Sequence, residues 1–279
     1  MAAIGLLAHE ERPQAVELED RTARWLERLG HEARRLKVGD HPGPAASEAL
    51  AGLDVVVSLG GDGTMLRTVR LAAPVGVPVL GVNLGHLGYL TALEPDKLEA
   101  GLERFLAGDY RVDSRMTLEV CRRRAGSSRV LERHLALNDA VLQRPADGHT
   151  IQVAVAVNGH GFVSFVADAL IVATATGSTA YNLSARGPIV SPRARVQIIT
   201  PVAPHSLFDR SLVLDADERI TLALERCRAA DLVIDGLSVA EIADGELIEV
   251  TAGKDVHLVT FEERVFADIL MQKFALGDS

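Results

Sequence analysis

The sequence predicts an α/β N-terminal domain with a mostly parallel sheet, then a β-rich, sandwich-like C-terminal domain, and a C-terminal helix that returns to the first domain. Three observations predict this. Over the first 112 of 279 residues, short apolar runs alternate with stretches whose apolar residues recur at helical spacing, the signature of βα units. From residue 113 the period drops to two, and turn pairs such as Asn158-Gly159 and Asp244-Gly245 separate the runs. After His257 helical spacing resumes at Phe266, Ile269, Leu270 and Phe274. The domains are therefore expected at 1–112, joined by the tail 256–279, and at 113–255.

Residues 4–8 read as a buried strand, and Leu18, Trp25, Leu26 and Leu29 as a helix stopped by Gly30, a natural C′ residue. A Pro/Gly/Ala-rich loop at 41–47 leads to a strand at 54–58, a glycine-rich turn, and a helix bearing Met65, Leu66, Val69 and Ala72. A strand at 78–82 ends in another glycine-rich loop, and 95–106 form a helix with Leu98, Leu102, Phe105 and Leu106 on one face. In the second domain, strands are expected at 117–122, 135–143, 151–157, 161–166, 196–200, 211–214, 220–224, 232–234 and 246–251. Asn158-Gly159 is the strongest hairpin signal in the chain.

Composition excludes several classes of function. No run approaches the roughly 18 consecutive apolar residues of a membrane span, and Met1 to His9 lacks the basic start of a secretory signal, so a cytosolic protein without membrane partners is expected. A net charge of −9 argues against a nucleic-acid partner held electrostatically, but leaves phosphorylated small molecules open, because oriented N–H groups and a metal ion can hold them. The two cysteines, Cys121 and Cys227, have no metal-ligand spacing and read as packing residues.

In Val55-Val56-Val57-Ser58-Leu59-Gly60-Gly61-Asp62-Gly63-Thr64, a buried strand delivers three glycines and an acid to the start of a helix. Anions bind at such places, because glycines permit close approach and positive φ while the helix supplies free N–H donors. Asp62 would repel a phosphate unless it holds a metal ion or accepts a proton from an attacking hydroxyl, and phosphoryl transfer requires both. A plain βα turn capped by Asp62 or Thr64 is the alternative. Neither a Walker A sequence nor a G-x-G-x-x-G after a strand is present.

The string Gly60 to Thr64 resembles the phosphate loop shared by NAD kinases, diacylglycerol and sphingosine kinases and, with small variation, phosphofructokinases. Three further segments resemble the NAD kinase family specifically. Gly81-Val82-Asn83-Leu84-Gly85-His86-Leu87-Gly88-Tyr89-Leu90-Thr91 is a second strand-end loop, expected beside the first, with Tyr89 facing ligand and His86 making a local hydrogen bond. Leu137-Asn138-Asp139-Ala140-Val141 resembles the family's Asn-acid pair that grips ribose hydroxyls, although Asn-Asp also marks turns. The third runs from Asp168 through Thr174-Ala175-Thr176-Gly177-Ser178-Thr179-Ala180-Tyr181-Asn182-Leu183-Ser184. Backbone groups at Thr179 and Ala180 and the Ser184 hydroxyl are suited to reading adenine and Tyr181 offers a ring for stacking, while the resemblance implies that Asp168 meets the nicotinamide end. A Ser/Thr N-cap explains Thr176 or Ser178 alone.

The sequence departs from the family where Asp139 replaces Glu, Ala167 and Ala169 flank Asp168 in place of glycines, Ala175 replaces Pro, and Arg186 precedes Gly187-Pro188 in place of Gly. Pro201-Val202-Ala203-Pro204-His205-Ser206-Leu207 also matches, and Asp235-Gly236 does so with Leu237 where Gln is usual. The resemblance implies transfer of the terminal phosphoryl group of ATP, or another donor, to the 2′-hydroxyl of the adenosine ribose of NAD. It also implies Mg2+ or another divalent ion, Asp62 as catalytic residue, and a homodimer or homotetramer built on the β domain.

Overall fold

The computed structural model describes residues 1–37, 48–85, 90–146, 148–206, 208–226, 229–263 and 265–274, with backbone alone at 272 and 273. The chain forms two compact units, Met1–Ser114 with Asp255–Ser279, and Arg115–Lys254. In chain order the elements begin with β1 (Ala3–Ala8), α1 (Pro13–Arg28), β2 (Glu32–Arg35), β3 (Val55–Gly60), α2 (Asp62–Ala72), β4 (Val79–Asn83), α3 (Leu98–Leu106) and β5 (Arg111–Arg115). There follow β6 (Leu118–Arg124), β7 (Val130–Ala136), β8 (Asp139–Gln143), β9 (Ile151–Val157), β10 (His160–Ala167), β11 (Ala169–Thr174) and α4 (Tyr181–Ser184). The remainder are β12 (Val196–Val202), β13 (Leu212–Asp215), β14 (Ile220–Leu224), β15 (Ala229–Ile234), β16 (Leu237–Ala243), β17 (Glu246–Ala252), β18 (Val256–Thr260) and α5 (Phe266–Phe274).

The first unit is built on one sheet of order β2-β1-β3-β4-β18-β5, in which the pairs from β2 to β18 are parallel. Parallel strands covered on both faces bury every side chain, which is why β3 reads as a near-continuous apolar run in which even Ser58 is buried. Val55, Val57 and Leu59 pack with Leu18, Leu26, Leu98 and Leu102 of α1 and α3, while Val56 packs with Leu36, Leu53 and Leu71 on the other face. Burial of each such side chain contributes about 1.5–3 kcal/mol. Helix α1 ends as its glycine predicts: Gly30 adopts φ 80°, its N–H reaches Glu27 O at 3.1 Å, and His31 N–H reaches Leu26 O at 3.0 Å.

In the second unit two six-stranded sheets, β10-β9-β14-β17-β6-β7 and β13-β12-β11-β8-β15-β16, share one core. Val120, Val153, Phe165, Leu222 and Ile248 of the first sheet meet Leu142, Leu170, Val172, Ile199 and Leu232 of the second. The opposite face of the second sheet is also apolar, with Val141, Ile171, Ala173 and Ile198 covered by Ala185 and Val190. The opposite face of the first carries ion pairs, Arg123–Glu249 at 3.2 Å and Arg133–Glu119, while Arg122–Glu246 at 2.9 Å closes the end of its core face. This difference explains why β11 lacks alternation and β6, β14 and β17 show it. Asn158 and Gly159, at φ 51° and 80°, turn the β9–β10 hairpin as their dipeptide predicts.

Four sequence-based expectations are corrected. Residues 135–143 are two strands, because the chain leaves one sheet after Ala136 and enters the other at Asp139. Helical structure begins at Phe266, since 256–260 form β18 beside β4. The helix expected from Pro95 opens as a 3-10 turn over Pro95–Lys97. The strands β2, β5 and β16 had not been expected, and each is the edge of a sheet, where one flank needs no apolar neighbour. The loop 41–47, Cys227 and Leu207 lie outside the described residues; Cys121 is buried. No helix among the described residues is long and apolar enough to cross a membrane.

Candidate functional site

In the first unit, β3 ends at Gly60 and Gly61 caps α2, placing Asp62 at the first helical residue. Met65 N–H, bonded to Gly61 O at 3.0 Å, is the first intrahelical donor, so the N–H groups of Asp62, Gly63 and Thr64 precede the helical ladder. The glycines act through bare surface and close approach. None of the three has positive φ, contrary to the sequence-based expectation. A Cβ on Gly60 would fall 2.1 Å from Thr64 Oγ1, whereas one on Gly61 or Gly63 would meet nothing within 4 Å. Neither Asp62 nor Thr64 caps the helix with its side chain. Instead Asp62 Oδ1 accepts the Leu90 N–H at 3.3 Å, and the half-positive helix start favours its charge.

The second glycine-rich loop lies beside the first, as expected: Gly60 pairs with Asn83 across the ladder, and Leu84 N–H donates to Gly60 O at 2.9 Å. Asn83 closes a local turn, its Nδ2 donating to Gly85 O at 3.1 Å and its Oδ1 accepting Gly85 N–H at 3.3 Å. His86 and Tyr89 lie outside the described residues. A cavity of about 340 Å³, lined by Thr91, Leu93, Lys97, Gly101, Arg104 and Phe261, touches this second loop at Thr91 and contains none of the candidate site residues.

In the second unit, Asn138 and Asp139 occupy the crossover between the sheets. Their backbone is fixed from two sides. The Asp235 carboxylate accepts the N–H groups of Leu137 at 2.9 Å, Asn138 at 2.7 Å and Asp139 at 3.1 Å. Thr174 supplies the other side, its hydroxyl donating to Leu137 O at 2.6 Å and its N–H to Asn138 O at 2.9 Å. Gly177 follows so closely that a Cβ there would lie 2.0 Å from Asn138 O. Asp139 is 4% exposed, and burial, reinforced by the Asp235 charge, pushes its carboxyl up to about 7. The half-buried Asn138 amide makes no hydrogen bond with the described residues.

The turn after β11 is organised by Thr174 and Asn182, two residues of the family-like segment to which the sequence assigns no role of their own. Thr174 Oγ1 accepts the Gly177 N–H at 3.0 Å, so Thr174 does what Thr176 or Ser178 had been considered for. Buried Asn182 donates to Ser178 O and Pro188 O, both at 3.0 Å, and accepts the Thr200 hydroxyl at 2.7 Å. These bonds hold α4 so that Tyr181 and Ser184, three residues apart, are both exposed. Thr179 Oγ1 donates to Thr176 O at 3.3 Å, and Ala180 N–H is already bonded to Gly177 O at 2.9 Å. Asp168 sits between β10 and β11 with Arg144 Nε at 3.0 Å from its carboxylate. His205 N–H donates to Val166 O at 2.7 Å. Asp235 carried a detectable signal, since Asp-Gly between two strands marks a two-residue turn; Thr174, Arg144 and Asn182 carried none.

The profile of the ATP-NAD kinase N-terminal domain matches residues 40–110, and that of the ATP-NAD kinase C-terminal domain matches 137–260. An NAD kinase of Heliobacterium modesticaldum is 40% identical over 284 residues, covering 99% of this chain and 100% of that protein. The chain belongs to the NAD kinase family. An NAD kinase of Moorella thermoacetica is 36% identical across 100% of this chain and 91% of its own length. Among solved structures, an Archaeoglobus fulgidus NAD kinase in complex with ATP superposes with a TM-score of 0.75 at 28% identity, covering 99% of this chain and 100% of that one. Yeast NADH kinase complexed with NADH gives 0.85 over 100% and 89%; at 23% identity it shows the fold alone.

Two departures from the NAD kinase pattern now have structural accounts. Ala167 and Ala169 lie in β10 and β11 without positive φ, so their methyl groups impose no backbone strain. Arg186 adopts φ 64°, the conformation in which glycine, usual at this place in the family, is unstrained. The following Gly187 is required by close packing, since its Cβ would lie 2.0 Å from Asn182 Oδ1.

Proposed function

We propose that the chain makes NADP by transferring the terminal phosphoryl group of ATP to the 2′-hydroxyl of the adenosine ribose of NAD, with Asp62 as the catalytic residue. The observation that carries this reading is the placement of Asp62 at the first residue of α2, flanked by the bare backbone of Gly61 and Gly63. Phosphates lie along Gly60, Gly61, Gly63 and Thr64, held by N–H groups that precede the helical ladder. Asp62 orients the ribose hydroxyl and takes its proton as the new O–P bond forms and the bond to the leaving ADP oxygen breaks.

Asn138 and Asp139 hold the ribose hydroxyls. Asp139, with its carboxyl pushed up to about 7, can serve as donor when protonated and as acceptor when ionised, and a diol accommodates both. Thr179, Ala180 and Ser184 read adenine, Tyr181 and Tyr89 line the ligand, and Asp168 meets the nicotinamide end while shared with Arg144. Ala180 contributes its carbonyl, its N–H being committed within the turn.

Among the described residues, no group of three or more His, Cys, Asp or Glu side chains is placed to hold a metal ion. Mg2+ or another divalent ion would be carried chiefly by the donor's phosphates. When bound, the ion neutralises charge on the polyphosphate. The first unit serves as the phosphate-loop domain, and the second as the NAD-binding domain and the seat of assembly into a cytosolic homodimer or homotetramer, which sedimentation at micromolar concentration tests.

The decisive assay offers NAD, diacylglycerol and fructose 6-phosphate with ATP and Mg2+; phosphorylation of either alternative in preference to NAD removes the reading. Asp62→Asn should keep the fold and NAD affinity yet lose turnover by about 10²-fold or more, the scale of general-base catalysis. Near wild-type turnover would take the catalytic role from Asp62.

A further inference from the structure

We infer that Asp235 is a positioning residue for the Asn138–Asp139 pair, its carboxylate fixing the backbone of residues 137–139 so that both side chains meet the substrate in one geometry. The inference rests on the reading of that pair as the ribose-holding groups. Because the chain passes between sheets at this point, the N–H groups of Leu137, Asn138 and Asp139 cannot all enter a strand ladder. The Asp235 carboxylate accepts all three, at 2.9, 2.7 and 3.1 Å, and the Asp235 N–H returns a bond to Asp139 O at 3.0 Å. Three charge-assisted bonds from one carboxylate hold a segment that carries the two side chains.

A simpler role is available to Asp235, as a turn former. With Gly236 it makes a two-residue connection between β15 and β16, at φ 48° and 80°, and Asp-Gly suits that geometry. Yet Asn-Gly and Gly-Gly suit it at least as well, and neither supplies two acceptor oxygens. In Asp235→Asn, one oxygen becomes an NH2 group that cannot accept the N–H of Leu137 or of Asn138 and Asp139, whichever it faces. The turn survives while the clamp loses acceptors, which separates the two roles.

The test compares Asp235→Asn, Asp235→Gly and Asn138→Ala in steady-state kinetics with NAD and ATP varied separately. Asp235→Asn and Asp235→Gly should each raise KM for NAD about tenfold or more, the effect of losing a charge-assisted bond, with a smaller fall in kcat and little change in KM for ATP. A merely structural role would instead lower the active fraction, reducing kcat with both KM values unchanged, and would overturn the inference. If Asn138→Ala raises KM for NAD while the two Asp235 variants leave it at the wild-type value, the ribose reading stands and the positioning role falls. If Asn138→Ala has no effect on KM for NAD, both fall. Hydrogen exchange on the unmodified protein is the measurement that needs no folded variant. The amides of 137–139 should be protected as well as those of β8, and exchange at exposed-loop rates would overturn the clamp.

Discussion

Asp139→Asn should stabilise the second unit, increasingly so as pH rises. Asp139 is 4% exposed, and burial first and the Asp235 charge second move its carboxyl up from 3.8 to about 7. Below the unfolded value both states are protonated and the full stability is present. As pH rises from there toward 7, the folded state keeps a proton that the unfolded state releases, so stability falls, and it levels off above the folded value. At about 1.4 kcal/mol per unit, the loss is on the order of 4 kcal/mol when complete. Asparagine is close in shape to the protonated acid and does not titrate. The variant should therefore exceed wild type by about 2 kcal/mol at about pH 5 and about 4 kcal/mol at about pH 8.5. The only tryptophan, Trp25, lies in the first unit, so its fluorescence follows the wrong part of the chain. Urea unfolding at each pH, read by a brief deuterium pulse and mass spectrometry of peptides from β8, β11 and β15, reports on the right one. Identical pH dependence in variant and wild type would refute the assignment of a buried, proton-holding Asp139. A gain in stability accompanied by weaker NAD binding would fit a site that sacrifices stability for function.

Two further substitutions probe the backbone of the same unit. Arg186→Gly relieves a left-handed φ of 64° and should raise the urea midpoint by the equivalent of about 1 kcal/mol; a lower midpoint would show that the arginine side chain outweighs the strain. Gly177→Ala places a methyl 2.0 Å from a backbone oxygen and should cost about 3 kcal/mol while weakening NAD binding, readable by calorimetry. Wild-type affinity would mean that the Asn138 backbone can retreat without moving its side chain.

How much of this was legible in the sequence depended on whether the cause was local. The Gly60 to Thr64 loop is set by a strand, its glycines and a helix start, all adjacent in the chain, so its form could be read directly. Even there the reason for the glycines differed: Gly60 is needed for the approach of Thr64, and Gly61 and Gly63 leave surface bare, with positive φ at none. The edge strands β2, β5 and β16 escaped notice because a strand with one neighbour needs less apolar patterning. The break at Leu137–Asn138 is easy to miss because Leu135-Ala136-Leu137 and Ala140-Val141-Leu142 flank it closely, although the Asn138-Asp139 pair between them carries a turn signal.

By itself, then, the sequence determined the order of βα units and alternating strands, the turn at Asn158-Gly159, the helix stop at Gly30, and the family motifs. Each is fixed by residues within a few positions of one another. Only the tertiary structure decided that Asp235 and Thr174, 97 and 36 positions from Asn138 in sequence, clamp its backbone, and that Asp139 is buried beside a second carboxylate. Hydrogen bonding and desolvation act over ångströms in space, whereas a sequence pattern registers only neighbours along the chain.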